Sequence, residues 1–283
     1  MREWWQDLTD LALPTECGGC GAPPAVLCAR CRALLERAAP RRVRPVPEPP
    51  GLPEVHAVAP YAREVRALLL AHKERGALAL TGALGAALAG AVRTGLGPGP
   101  DRCAARSRPG PVILVPIPSA RRAVRRRGHD PVRRMALAAA AGLRRTGTPA
   151  QVAAVLRQHR PVADQAGLDA RRRRENLAGA LEVRAGGARL LAGGRVVLVD
   201  DLVTTGASLA EAARALRAAT GTRHEARGAV YRAATREGRE ERRIGPRSQR
   251  GKSVPGAPEK GPVKMIGEAV GAAVIAAPRD SFE

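Results

Sequence analysis

The sequence predicts an α/β fold: an open, mainly parallel sheet flanked by helices, with a small cysteine-rich module ahead of it. Three observations carry that prediction. From Val112 onward, short continuous apolar runs alternate with helical stretches, the pattern of parallel strands covered on both faces. One run, Val196–Val199, ends on two adjacent carboxylates and a Thr/Gly/Ser turn. Four of the five cysteines lie within fifteen residues near the N-terminus.

Taken in order, the cysteines form two knuckles, Cys17-Gly-Gly-Cys20 and Cys28-Ala-Arg-Cys31. Each Cys-x2-Cys turn brings two thiolates to one tetrahedral centre, and four sulfur ligands make the metal structural, as Zn2+. Unliganded thiols or two disulfides are the alternative, which a reducing compartment disfavours. Residues 1–40 are therefore read as a zinc-binding module and the Pro-rich stretch 41–53 as an extended linker. A strand at Val55–Pro60 follows, then apolar positions Val65, Leu68 and Leu69 and a helical run to Val92. Residues 93–110, rich in Gly, Pro and Arg, read as a loop in which Cys103 is a bystander.

Strands are expected at Val112–Ile117, Val152–Leu156, Ala180–Val183, Arg195–Asp200 and Arg227–Tyr231, with helices near 130–145 and 206–220. Together 54–235 form the main domain. Past Thr235 apolar residues nearly vanish, and AVGAAVIAA at 269–277 stands isolated among polar stretches, so 236–283 is expected to be a disordered basic tail.

Composition bounds the function. Apolar residues make up 45% of the chain but only five residues are aromatic, so the core must be Ala, Leu and Val packed at short distances. That excludes an RNA-binding sheet built on stacked aromatics. The net charge of +22 favours phosphates, nucleic acid or an anionic surface as partner. Only four of the 48 basic residues are Lys (73, 252, 260 and 264), so GC-rich coding accounts for part of the Arg excess. Its distribution says more: Ile117–Arg174 holds fifteen Arg against three Asp, a net +12. The apolar run from Gly76 to Val92 is too rich in Ala and Gly to favour lipid and reads as a buried helix, with no membrane insertion expected. The acidic N-terminus lacks the pattern of a secretory signal, which together with the thiols suggests a cytoplasmic protein.

The sharpest motif is Val196-Val197-Leu198-Val199-Asp200-Asp201-Leu202-Val203-Thr204-Thr205-Gly206-Ala207-Ser208. A buried strand delivers two carboxylates to its C-terminal end, and the turn that follows opens a helix whose unpaired N–H groups can cradle a phosphate. Carboxylates for sugar hydroxyls beside a phosphate cradle suit a sugar phosphate. There is no Gly-Lys-Ser/Thr, which excludes a Walker loop.

These thirteen residues resemble the phosphoribosyl-pyrophosphate (PRPP) motif of type I phosphoribosyltransferases. Within that superfamily the chain to about residue 235 resembles the ComF family of competence-associated proteins. The resemblance rests on the four-cysteine module, Val115-Pro116-Ile117-Pro118, the Arg125-Arg126-Arg127-Gly128 turn, and Leu156-Arg157 with Gln165–Asp169 followed by Arg171 to Asn176. His129-Asp130-Pro131 departs from the family's usual aromatic, Asn and Gln, although Asp130 can cap a helix and Pro131 suits its first turn. The resemblance implies a sheet of the type I phosphoribosyltransferase kind and assigns roles by position. Asp200 and Asp201 would hold the ribose hydroxyls and act as the catalytic pair. Thr204, Thr205, Gly206, Ala207 and Ser208 would hold the 5′-phosphate, and Ser119, Ala120 and Arg121 the pyrophosphate. Arg157–Asn176 would be a mobile loop in which Arg171, Arg172, Arg173 and Arg174 either stabilise departing pyrophosphate or form a solvated face. The implied reaction displaces pyrophosphate from PRPP with Mg2+, toward an acceptor the sequence does not name. Two functions of different class follow: a Mg-dependent phosphoribosyltransferase, or a non-catalytic accessory protein of DNA uptake that binds PRPP and single-stranded DNA and docks a helicase.

Overall fold

The computed structural model describes residues 16–23, 25–97, 110–160, 170–221 and 270–283. Its strands are β1 (Arg41–Val43), β2 (Val55–Pro60), β3 (Val112–Pro116), β4 (Ala150–Val152), β5 (Leu156–Gln158), β6 (Leu181–Val183), β7 (Arg195–Leu202) and β8 (Gly271–Ala277). Among the described residues six of them form one sheet in the order β1-β2-β8-β7-β3-β4, with β1 antiparallel to β2 and every other pairing parallel. A separate antiparallel pair joins β5 to β6. The expected mostly parallel α/β sheet is thus present.

The helices are α1 (Ala29–Glu36), α2 (Arg63–Glu74), α3 (Thr81–Leu96), α4 (Arg121–Arg127), α5 (Pro131–Arg145), α6 (Ala170–Leu177), α7 (Gly187–Leu190) and α8 over 207–221. Local chemistry explains their ends. Asp130 caps α5 by accepting from the Arg133 N–H at 3.1 Å, with Pro131 in the first turn. Gly128 closes α4 at φ 74°, a left-handed conformation that glycine adopts without a Cβ clash.

The sheet divides the core in two. Val197 and Val199 of β7 face the layer of α2, α3 and α5, whereas Val196 and Leu198 face α8 and the β5–β6 pair. The apolar run read as a buried helix is α3, whose Leu84, Leu88 and Ala91 are fully buried in the first layer. The scarcity of aromatics shows in how close its neighbours come: a Cβ at Gly85 would collide with Ala138 of α5. Small residues here replace bulk with proximity.

Three expectations need correction. Residues 271–277, assigned above to a disordered tail, form β8, a central strand paired with β2 on one side and β7 on the other. Its flanks are polar, but a strand buried on both faces needs only its own apolar residues and two open neighbouring edges. The stretch 41–53 is not a free linker. Arg41–Val43 pairs with β2, Val43 is buried, and Pro49 and Leu52 lie against Gly206. The strand expected at Val152–Leu156 is broken between β4 and β5, which belong to different sheets. The strand expected at Arg227–Tyr231, Cys103, and tail residues 236–269 lie outside the described residues.

Ile275 is fully buried in β8. Ile275→Ala is expected to lower unfolding free energy by about 2–5 kcal/mol in chemical denaturation, as for large-to-small core changes. A disordered tail would give no change.

Candidate functional site

Order reversal in the sheet creates a crevice. The chain leaves β3 through α5 to β4 on one side, and leaves β7 through α8 toward β8 on the other. The C-terminal ends of β3 and β7, hydrogen-bonded neighbours, therefore open between diverging connections, the usual place for ligands in open α/β sheets. Asp200, Asp201 and the turn 204–208 follow from β7. Ser119, Ala120 and Arg121 follow from β3, where the Ile117 N–H donates to the Val199 carbonyl at 2.9 Å. The structure thus brings these two sets of expected residues together.

Adjacent residues on a strand point to opposite faces, so the two carboxylates meet different surroundings. Asp201, buried, faces the α2 layer, and there Lys73 donates to its Oδ2 at 2.7 Å. Burial opposes the Lys73 charge, but Asp201 and Asp200 outweigh it and raise the ammonium above its ordinary value. Among the described residues no cation hydrogen-bonds to Asp200; burial and the Asp201 charge outweigh the pull of Lys73 and hold its carboxyl well above the usual carboxylate range. The Asp201 N–H donates back to Asp200 Oδ1 at 2.8 Å, tying the pair together.

The turn beyond has the chemistry of an anion cradle. Gly206 sits at φ 73°. Among the described residues no protein group accepts from the backbone N–H of Thr204 through Ser208, which open α8. Arg173 of α6 donates to Thr204 Oγ1 at 3.2 Å, and its buried Nε has no acceptor among the described residues. Of the four arginines proposed from sequence, Arg173 hydrogen-bonds this turn and Arg174 lies by its Ala207, beside Ala210 and Pro49; Arg171 pairs with Glu175 at 2.9 Å, and Arg172 is exposed. The segment 161–169 of the expected mobile loop lies outside the described residues.

Sequence reading missed Lys73, although a signal was there. In a chain that uses Arg almost everywhere, it is the single Lys before position 252. Its placement depends on two histidines. His129 is buried, with Nε2 3.2 Å from the His72 carbonyl and Nδ1 3.0 Å from the Arg127 carbonyl, which fastens the end of α2 to the turn after α4. His72 lies 3.0 Å from Thr81 Oγ1; burial, then the neighbouring His129, depress it to about 4, so it is neutral at physiological pH. Glu74 pairs with Arg127 across the same junction.

The second cluster is the cysteine module. The sulfurs of Cys17, Cys20, Cys28 and Cys31 lie within 4.8 Å of one another, with Cys20 and Cys28 3.6 Å apart. A tetrahedral zinc with bonds of about 2.3 Å has sulfur–sulfur edges of about 3.8 Å, so the four fit such a metal. Burial opposes ionisation of Cys17, but the N–H groups of Cys28, Cys20 and Gly19 hold its thiol down to about 6. Burial and the other three sulfurs push Cys31 up. Four thiolates this close repel one another, and a divalent cation at their centre resolves that conflict. The module is not separate: Cys17, Cys31 and Leu35 share a core with Leu68 and Leu80, and Arg30 pairs with Glu64 of α2 at 2.9 Å.

No protein-family model matches the chain, and no curated protein matches it.

Two outcomes follow from this geometry. Cys28→Ser is expected to lose bound metal in elemental analysis and also to lower the melting temperature of the whole domain, because the module shares its core; unchanged metal content would refute the cluster. The carboxylates should separate under neutralisation. Asp201→Asn strips Lys73 of its partner and is expected to cost on the order of 1–3 kcal/mol at neutral pH, the Lys end being part-exposed. Asp200→Asn removes a disfavoured charge and should leave denaturation unchanged or slightly more resistant. Equal losses would contradict the assignment of Lys73 to Asp201.

Proposed function

We propose that the protein binds PRPP at the crevice between β3 and β7 and transfers its phosphoribosyl group, on a type I phosphoribosyltransferase-like fold. The observation that carries this reading is the continuous arrangement at the end of β7. Two carboxylates are followed at once by a turn with uncommitted N–H groups at the start of α8, and the Ser119–Arg121 loop lies one strand away. A sugar bearing one phosphate and one diphosphate matches that order of acceptors, donors and cations.

On this reading Asp200 and Asp201 accept hydrogen bonds from the ribose hydroxyls, and Lys73 holds Asp201 in position for that task. Thr204–Ser208 and Arg173 receive the 5′-phosphate through N–H and guanidinium donors. Ser119 and Arg121 orient the diphosphate. When the acceptor bonds to the anomeric carbon and the bond to the diphosphate oxygen breaks, the electron pair leaves with pyrophosphate, and preorganised cations stabilise it. A bound Mg2+ would neutralise part of the diphosphate charge, and Asp200, on the crevice side, would share in holding it. The four-cysteine cluster suits structural zinc, and a cytoplasmic location, where thiols stay reduced, suits such a site.

The second reading, a ComF-type accessory protein for DNA uptake that holds single-stranded DNA and docks a helicase, is favoured by the exposed arginines of α4, Arg121, Arg122, Arg125 and Arg126.

Calorimetric titration with PRPP, with and without Mg2+, tests the first reading. Saturable Mg-dependent binding is expected, and Asp200→Asn should weaken it roughly tenfold or more by losing a charge-assisted hydrogen bond. Wild-type affinity in that variant would mean the motif is only a capped helix. The same titration with single-stranded DNA across a salt series separates the second reading, since backbone binding falls by about 0.7 log units per log salt for each phosphate contacted.

A further inference from the structure

Beside the crevice lies a cleft of about 520 Å3 that includes Ser119 and Arg121, given above to the diphosphate, and extends past them over residues to which the reading above gives no occupant. Its floor is apolar, made by Ile117, Pro118, Val124 and Leu156. Its rim is cationic: Arg121, Arg125 and Arg133 on one side, Arg157 and Arg184 on the β5–β6 side, with Asp130 the one acid among the lining residues. Asp130 is already engaged as the α5 cap, and Glu182 neutralises Arg157 at 2.7 Å. Arg121, Arg125, Arg133 and Arg184 have no carboxylate partner among the described residues.

The cleft also opens where a reaction at Asp200 would need it. Pro116 pairs with Val199 in register, so Ile117 stands beside Asp200, one strand spacing away, about 4.8 Å. Ile117 packs on the α8 side of the sheet, the side to which the even-numbered residues of β7 point. A volume within the roughly 300–1,000 Å3 of small-molecule sites is far larger than one pyrophosphate group requires. Glu211 holds the far wall in place, accepting from the Leu181 N–H at 3.0 Å and pairing with Arg214 at 2.7 Å.

We propose that this cleft takes the phosphoribosyl acceptor and that the acceptor is a small ring compound bearing a carboxylate, its apolar body on Ile117 and Leu156 and its anionic group on the rim arginines. The assignment rests on the PRPP reading for the role of acceptor, but the cleft's preference for an anion does not. An uncharged base would leave several guanidiniums facing one another across an apolar floor. A carboxylate offers them bidentate acceptors and relieves their mutual repulsion.

The probes are three ring carboxylates, orotate, nicotinate and benzoate, each titrated into the full chain against its uncharged counterpart, uracil, nicotinamide or benzamide. At least one carboxylate is expected to bind about tenfold or more tightly than its counterpart. The double variant Arg125→Ala/Arg184→Ala, both exposed and outside the proposed PRPP contacts, should remove that preference while PRPP affinity stays within about twofold. Equal binding of charged and uncharged partners, or a preference untouched by the variant, overturns the proposal. So does an equal loss of PRPP affinity, which would make the cleft part of the diphosphate subsite. Absence of PRPP binding with the carboxylate preference intact would instead overturn the transferase reading and leave the anion cleft standing.

Discussion

A carboxylate on a central parallel strand cannot be left bare, and the pairing of Asp201 with Lys73 is the constraint around which much of this structure is arranged. Two acidic residues in succession on β7 must point to opposite faces of the sheet. One enters the layer of α2, where burial makes an unpaired charge costly; the other enters the open crevice. Lys73, from the last turn of α2, satisfies the first. The second stays under-compensated, its carboxyl held well above the usual carboxylate range by burial and the Asp201 charge.

Holding Lys73 in place requires α2 to be anchored at both ends. At its C-terminal end His129, Arg127 and Glu74 tie it to the loop after α4. Nearer its start, the cysteine module packs against it through Leu68 and the Arg30–Glu64 pair. A cluster distant in sequence from the carboxylates thus supports them through one helix. The same economy appears on the other face, where Pro49 and Leu52 buttress Gly206 and Glu211 joins α8 to the β5–β6 pair.

A core poor in aromatics accounts for the close fit. Ala and Gly bury little surface each, so cohesion comes from short distances, as where α3 meets α5 at Gly85 and Ala138. β8 extends the principle: GAAVIAA has little bulk, yet Ala272 to Ala277 are all buried between two strands.

The sequence by itself determined what depends on neighbours along the chain. The strand at Val55–Pro60, the capped start of α5 and the apolar run into Asp200-Asp201 were legible because periodicity, caps and turns are local effects. So was the four-cysteine cluster, since two short knuckles leave their thiols little choice of partner. Only the tertiary structure decided what depends on distant segments. A polar-flanked run at 271–277 became a central strand because β2 and β7 each had an unpaired edge to offer. Residues 41–53 were drawn onto the domain by an edge strand and a turn far along the chain. Arg173 and Thr204, 31 positions apart, were joined by a hydrogen bond between segments whose sequence spacing gives no sign of it. Lys73 and Asp201, separated by 128 positions, met because an ion pair is set by distance in space, on which spacing along a chain is silent.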